Sequence, residues 1–178
     1  MFEADQISRR QFVAAALSAT ALAALPTSVA DAYTHKTKGD QMTTLTPYLL
    51  LDGKCQQAME FYKSCFGGEL TITKVKDSPI KDQMPAVQQE KILHARLRSG
   101  ELDISASDWL RPDQTAVRGN TVCLYLSGGT LQELKSAFEK LSEEAEITDP
   151  LKEQFFGTYG ALNDKFGVRW MFQTDKKV

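Results

Sequence analysis

A pattern that runs strand, helix, strand, strand, strand and then begins again leaves few folds open to this chain. From Leu45 onward, "TPYLLLDG" has the composition of a strand and runs into "KCQQAMEFYKSCFGG". There Cys55, Ala58, Met59, Tyr62, Cys65 and Phe66 recur at helical spacing, and Gly67-Gly68 stops the helix. "ELTITKV" and "KILHARLR" follow, the first alternating at Leu70 and Ile72, the second at Leu93, Ala95 and Leu97. Ser99-Gly100 then makes a tight turn into "ELDISAS". The order restarts with "NTVCLYLSGG" and "TLQELKSAFEKLSEE", where Leu131, Leu134, Phe138 and Leu141 share one face. Thr130 and Glu133 form a capping box that fixes the start of this second helix, each side chain satisfying an orphan backbone N–H. "AEITD", "FFGTYGALND" and "VRWMFQT" supply the last strands. A repeated supersecondary unit constrains the fold more than any single residue does.

The pattern predicts an α+β protein: one domain over 45–178, built of two βαβββ modules at 45–109 and 119–175. Two stretches interrupt it. "KDSPIKDQMPAVQQE" (76–90) is polar with two prolines, long enough to suggest a lid or a flexible loop, and "LRPDQTAVR" (110–118) joins the halves.

The first residues differ in kind. "ISRRQFVAAALSATALAALPTSVADA" places Arg9 and Arg10 before an alanine-rich apolar stretch, and Ala30-Asp31-Ala32 supplies a small-residue cleavage pattern. That is the layout of an export signal over 1–32, with Ser8-Arg9-Arg10-Gln11-Phe12 resembling the twin-arginine type. Residues 33–44 are a polar tether, and periplasmic or cell-envelope residence is expected. Met42 offers a second start, which would leave the product in the cytosol. No apolar run reaches the ~20 residues that span a bilayer, so no integral membrane segment is expected in the mature chain. A net charge of −2 gives no basic face for a nucleic acid, and none is expected as a partner.

Three cysteines cannot all pair. Cys55 and Cys65 are ten residues apart in one helix, a rise of ~15 Å, whereas a disulfide needs Cα atoms within ~7 Å. None of the three has a His or Cys at metal-ligand spacing. Each is expected to be a small buried hydrophobe.

"TPYLLLDGKCQQAMEFYKSCFGGEL", "HARLRSGELDISASD" and "NDKFGVRWMF" resemble the vicinal oxygen chelate superfamily of glyoxalases, extradiol dioxygenases, and fosfomycin and bleomycin resistance proteins, and within it the PhnB-like branch. The resemblance covers residues 43–175. It implies an open, cupped mixed sheet with helices outside and a cleft inside, and a homodimer. Metal-dependent members carry one His or Glu on the first and last strand of each module, making a site that polarises an oxygen. By the flanking Phe-Tyr, Asp-Trp and Asp-x-x-Gly, those four positions fall at about Pro47, Ile104, Thr121 and Met171. None is an ordinary metal ligand. Sliding by one residue brings in Tyr48, Asp103, Ser105, Asn120, Val122, Trp170 and Phe172, of which only Asp103 is a good one. No metal and no cofactor are therefore expected.

His94 is the only histidine of the folded part and the candidate general base, because its free pKa lies near neutrality. It shares a strand face with Ile92, Arg96 and Arg98, and a solvent-facing imidazole competes with the catalytic reading. Asp108 and Trp109 end the first module beside the cleft mouth, where they can anchor a ligand or simply lead into a turn. Tyr125, Tyr159 and Trp170 can stack on a ligand or pack between sheet and helices, and Arg169 can meet an anion or pair with a surface carboxylate. Three functions stay open. The first is a metal-independent protein binding an unknown small molecule. The second is a lyase, isomerase or dioxygenase with a non-standard metal site of His94 with Asp103 or Asp108. The third is a dimeric interaction module whose cleft is vestigial.

Overall fold

Both halves of the repeat form, and each folds its first strand back beside its last. The computed structural model describes residues 43–176; the expected export signal and all but the last two residues of the tether lie outside them. In the first half, β1 (Tyr48–Leu51), α1 (Cys55–Phe66), β2 (Glu69–Lys74), β3 (Ile92–Ser99) and β4 (Leu102–Asp108) make a sheet of order β1-β4-β3-β2. In the second, β5 (Leu124–Ser127), α2 (Leu131–Leu141), β6 (Glu146–Gln154), β7 (Gly157–Asn163) and β8 (Arg169–Thr174) repeat that order as β5-β8-β7-β6. The first and last strand of each unit pair in parallel and the other pairs are antiparallel, giving two mixed four-stranded sheets.

Alternation along each strand separates two faces. Opposite residues in the antiparallel ladder share a face, so Ile72, Ala95 and Ala106 line up, as do Leu70, Leu97 and Ile104. These meet the apolar side of α1, where Ala58, Met59 and Tyr62 are fully buried. In the second sheet Leu124, Trp170 and Leu162 align, and Leu126 aligns with Phe172. One core joins the halves. The Trp170 ring lies 5.4 Å from Tyr62 and 5.6 Å from Phe66 of α1, while Phe138 of α2 meets Phe172 edge-on at 5.1 Å. Both helices thus cover the same side, and the other side of each sheet is open.

Two local features differ from the expectation. The 76–90 stretch is neither lid nor slack. It folds into three short 3-10 turns closed by Val75 N–H to Lys91 O and Lys76 N–H to Gln89 O, both 3.0 Å, and Glu90 bridges Lys74 and Lys76. Strand β6 runs on through Pro150 to Gln154, leaving Phe155-Phe156 as a hairpin tip rather than the start of β7. Pro150 is tolerated because β6 is an edge strand whose ladder slips register on either side of Asp149. Among the described residues no helix is long and apolar enough to cross a membrane.

Gly157 opens β7 at φ 122°, and a Cβ there would collide with the Thr174 carbonyl oxygen. The substitution Gly157→Ala should cost about 2–4 kcal/mol from left-handed strain plus displacement of β8. Urea denaturation followed by circular dichroism measures it, and a midpoint equal to that of the wild type would refute the close approach.

Candidate functional site

Two of the carboxylates near the cleft ends turn out to build the fold. Asp108 was a candidate ligand anchor, but it is 4% exposed and on the helix side of β4. Its Oδ1 accepts the Cys55 N–H at 3.0 Å and its Oδ2 the Ile92 N–H at 2.7 Å. Lys54, at the N-cap of α1, supplies no side-chain cap, so Asp108 does so from across the sheet. Burial and the Asp108 charge push the Cys55 thiol up to about 12, which makes it an inert buried group. Asp108 is a positioning residue of the core, with both carboxylate oxygens engaged by backbone donors.

Trp170 is likewise built into the core. It is 1% exposed, and its indole N–H donates to Asp164 Oδ2 at 2.9 Å, as does the Tyr62 hydroxyl at 2.7 Å. Burial, followed by the charge and hydrogen bond of Asp164, raises the Tyr62 phenol far above its ordinary value. Trp170 contributes only part of one cavity wall. Asp164 closes the stretch "FFGTYGALND", and nothing local marks it as the acceptor for two aromatic donors.

The open faces carry the remaining candidates. On the first sheet, His94 is exposed, with the Tyr48 hydroxyl 3.2 Å from its Nδ1 and the two rings stacked at 5.8 Å. Arg96 and Arg98 continue that face. Arg96 grips Asp103 with a fork at 2.9 and 2.5 Å, and this hydrogen bonding holds the Asp103 carboxyl below the usual range. On the second sheet, Tyr125, Tyr159 and Arg169 share the open face. The Tyr125 hydroxyl donates to Gln173 at 2.7 Å, Gln173 sits opposite Tyr159, and Tyr159 feels the charge of Arg169. Cys123 places its Sγ 3.0 Å from Met171 Sδ on the same face. Trp109 is half-buried and ties its indole N–H to the Gln114 carbonyl at 2.9 Å, which steadies the linker.

Between the sheets, β1 and β5 are edge strands lining common cavities. One, of about 670 Å³, is bounded by 45–47, 101–104, 122–127 and Trp170. A second of about 230 Å³ is bounded by 48–51, 117–119, 122–124 and 166–169. A third of about 400 Å³ opens beyond it, where Arg118, Lys165 and Arg169 face Glu144, Glu146 and Asp164. This seam, with the open faces beside it, is the candidate site.

A divalent metal does not fit it. The register pairs Tyr48 with Ser105, so in the first half the open-face positions are those two and not Pro47 and Ile104, a shift of one residue. Met171 faces the open side opposite Tyr125, and Thr121 precedes β5. The alternative set also fails to assemble. Asp103 is held by Arg96, and Asp108 lies on the face away from His94. Among the described residues no three His, Cys, Asp or Glu side chains converge as a metal site would require.

Comparison with known proteins agrees with this architecture. The family model described as 3-demethylubiquinone-9 3-methyltransferase matches residues 43–173. Protein YjdN of Escherichia coli (strain K12) is 29% identical over 146 residues, covering 75% of this chain and 96% of its own. The crystal structure of protein PA1353 from Pseudomonas aeruginosa is 30% identical and superposes with a TM-score of 0.69 over 76% of this chain and all of that one. A glyoxylase/bleomycin resistance protein/dioxygenase domain from Frankia sp. EAN1pec, 16% identical, shares the fold at a TM-score of 0.52, covering 75% and 97% of the two chains.

Proposed function

We propose, from the premise that this chain belongs to the 3-demethylubiquinone-9 3-methyltransferase family with the glyoxalase/bleomycin-resistance fold, that it binds a small molecule in the seam between its sheets without a divalent metal. One observation carries this reading. The positions that would hold the ion are Pro47, Ile104, Thr121 and Met171, and the open-face neighbours are Tyr48 and Ser105. Hydroxyls and a thioether replace too little of the hydration of a Zn, Ni, Fe or Mn ion to retain it. What remains is a cavity with apolar walls and a few polar handles, the ordinary build of a small-molecule pocket. His94 is its general-base candidate, linked to the 230 Å³ cavity through Tyr48, which lines it and lies 3.2 Å from His94 Nδ1. The same proposal includes export by the twin-arginine-type signal and assembly as a homodimer. The dimer would cover the edge strands that each sheet leaves open.

Native mass spectrometry of the protein purified from its host, with elemental analysis of the same sample, tests all three parts. The expected species is a dimer of about twice the 19.8 kDa chain less residues 1–32, carrying an organic adduct and well under one metal per chain. A clean monomer refutes the dimer, and a product starting at Met42 refutes export. One equivalent of metal, lost in His94→Ala, overturns the metal-free site.

A further inference from the structure

We infer that the ligand of this seam is a small organic oxyanion, a carboxylate or phosphate on a short apolar body, anchored by Arg118 and Arg169. The inference rests on the small-molecule reading above and names its ligand class. Arg169 is half-buried on β8, and its guanidinium makes no hydrogen bond or ion pair among the described residues. Arg96, the other half-buried arginine among the described residues, has a carboxylate partner. Acidic residues number 23 against 21 basic ones, and Arg96, Arg98, Lys74, Lys76 and Lys165 all have carboxylate partners. A guanidinium taken out of water needs acceptors, and its planar fork suits a carboxylate or phosphate. The residue opposite Arg169 is Asn163, and it already uses the nearby Glu146 through a 2.9 Å hydrogen bond. Glu144 and Glu146 line the same cavity but are engaged by Lys165 and Asn163, so a bound oxyanion would supply the partner of Arg169.

Arg118 supplies the second fork. One of its N–H groups donates to the Phe166 carbonyl at 2.5 Å, which lays the side chain over the Asp164–Gly167 turn. A Cβ at Gly167 would occupy the place of the Arg118 guanidinium, so glycine there leaves it room. The remaining donors of Arg118 have no acceptor among the described residues. Arg118 and Arg169 line both the 400 Å³ and the 230 Å³ cavities, and so stand where the two meet.

The apolar body follows from the other wall. Leu50 is 53% exposed, Val117 90% and Val122 80%, and all three line the 230 Å³ cavity with Tyr48. That volume falls below the roughly 300–1,000 Å³ of drug-sized sites, which limits the body to a ring or a few carbons. The rival basic site, between Arg96 and Arg98 beside Glu69, is weaker because Asp103 already neutralises that pair.

Calorimetric titration of the full chain with benzoate, phenyl phosphate and benzyl alcohol tests this, since the three share one body and differ in the head. Saturable binding of one or both anions, and none of the alcohol, is expected; the stronger anion tells carboxylate from phosphate. Arg169→Gln should weaken that binding by about tenfold or more, the worth of a lost charge-assisted fork, with the melting point of the free protein unchanged. Arg118→Gln should weaken it in the same sense. Binding of neither anion, or anion affinity untouched by Arg169→Gln, overturns the inference. Benzyl alcohol binding as tightly as benzoate overturns the anion class and leaves the small-molecule site standing.

Discussion

Asp164→Ala is expected to abolish most of the stability of the folded domain. The carboxylate accepts four hydrogen bonds: Oδ1 from the Phe166 and Val168 N–H groups, both 2.9 Å, and Oδ2 from the Tyr62 hydroxyl and the Trp170 indole. All lie at the junction of the two halves, where Tyr62 is fully buried and Trp170 is 1% exposed. Each buried donor left without an acceptor costs about 1–3 kcal/mol, more where the lost partner was charged. The four are coupled, so the sum is an overestimate, and a loss of about 4–6 kcal/mol is expected. Against a total of about 5–15 kcal/mol for a domain, that leaves little. Urea unfolding followed by tryptophan fluorescence measures the loss directly. Asp164→Asn should recover part of it, because the amide oxygen still serves two donors while the NH₂ opposes the others. In a Tyr62→Phe background the Asp164→Ala cost should shrink, since one of the orphaned donors is already gone. A drop below about 1 kcal/mol in the wild-type background would show that water replaces the carboxylate, and the junction would then not depend on it.

The elements that local chemistry specifies were legible in the residues themselves. The second helix starts where Thr130 and Glu133 predict, and both halves of the capping box are made. The first helix ends at Gly67, φ 72°, as the glycine pair indicates. Alternation in β3 separates Ala95 and Leu97 from His94 and Arg98, and only Ile92 escapes it. Ile92 is buried because the β2–β3 register slips between Thr73 and Lys74. The repeat predicted two βαβββ modules, each of which forms its own four-stranded mixed sheet, and the comparisons agree with that fold.

The site was less legible, for a physical reason. Motif flanks count residues along the chain, whereas strand register decides which face a side chain takes. An offset of one moves Pro47 and Ile104 off the open face and puts Tyr48 and Ser105 on it. Asp108, Asp164 and Trp170 are polar or aromatic residues next to turns, the sequence setting of both ligand anchors and core hubs. Their partners lie 53 residues away for Asp108 and 102 for Asp164, separations that no window of periodicity spans. Arg118, at the end of a linker, had no local signal beyond its charge. It gains interest only because the chain brings it back over Gly167 beside Arg169.

The second large effect belongs to Asp108. Local sequence gives α1 no N-terminal cap: its first turn holds no acidic residue and Lys54 makes no capping bond. α2 closes its own N-terminus with Thr130, but α1 relies on a β4 carboxylate that also takes the first N–H of β3. One side chain therefore fixes the helix start, the entry to β3 and the end of β4 in a single contact. Asp108→Ala should orphan two buried N–H groups and remove a negative charge from the helix N-terminus, together about 2–4 kcal/mol. Asp108→Asn should be nearly as damaging, because each carboxylate oxygen faces a backbone donor and neither donor can turn into an acceptor. That distinguishes it from position 164, where the Tyr62 hydroxyl can rotate to accept. Chemical denaturation gives the magnitude, and amide exchange at Cys55 and Ile92 gives the mechanism, since both protons should lose protection before the rest of α1. If Asp108→Asn keeps wild-type stability, the carboxylate's role is charge alone or none, and the candidate reading of Asp108 as a ligand anchor regains its ground.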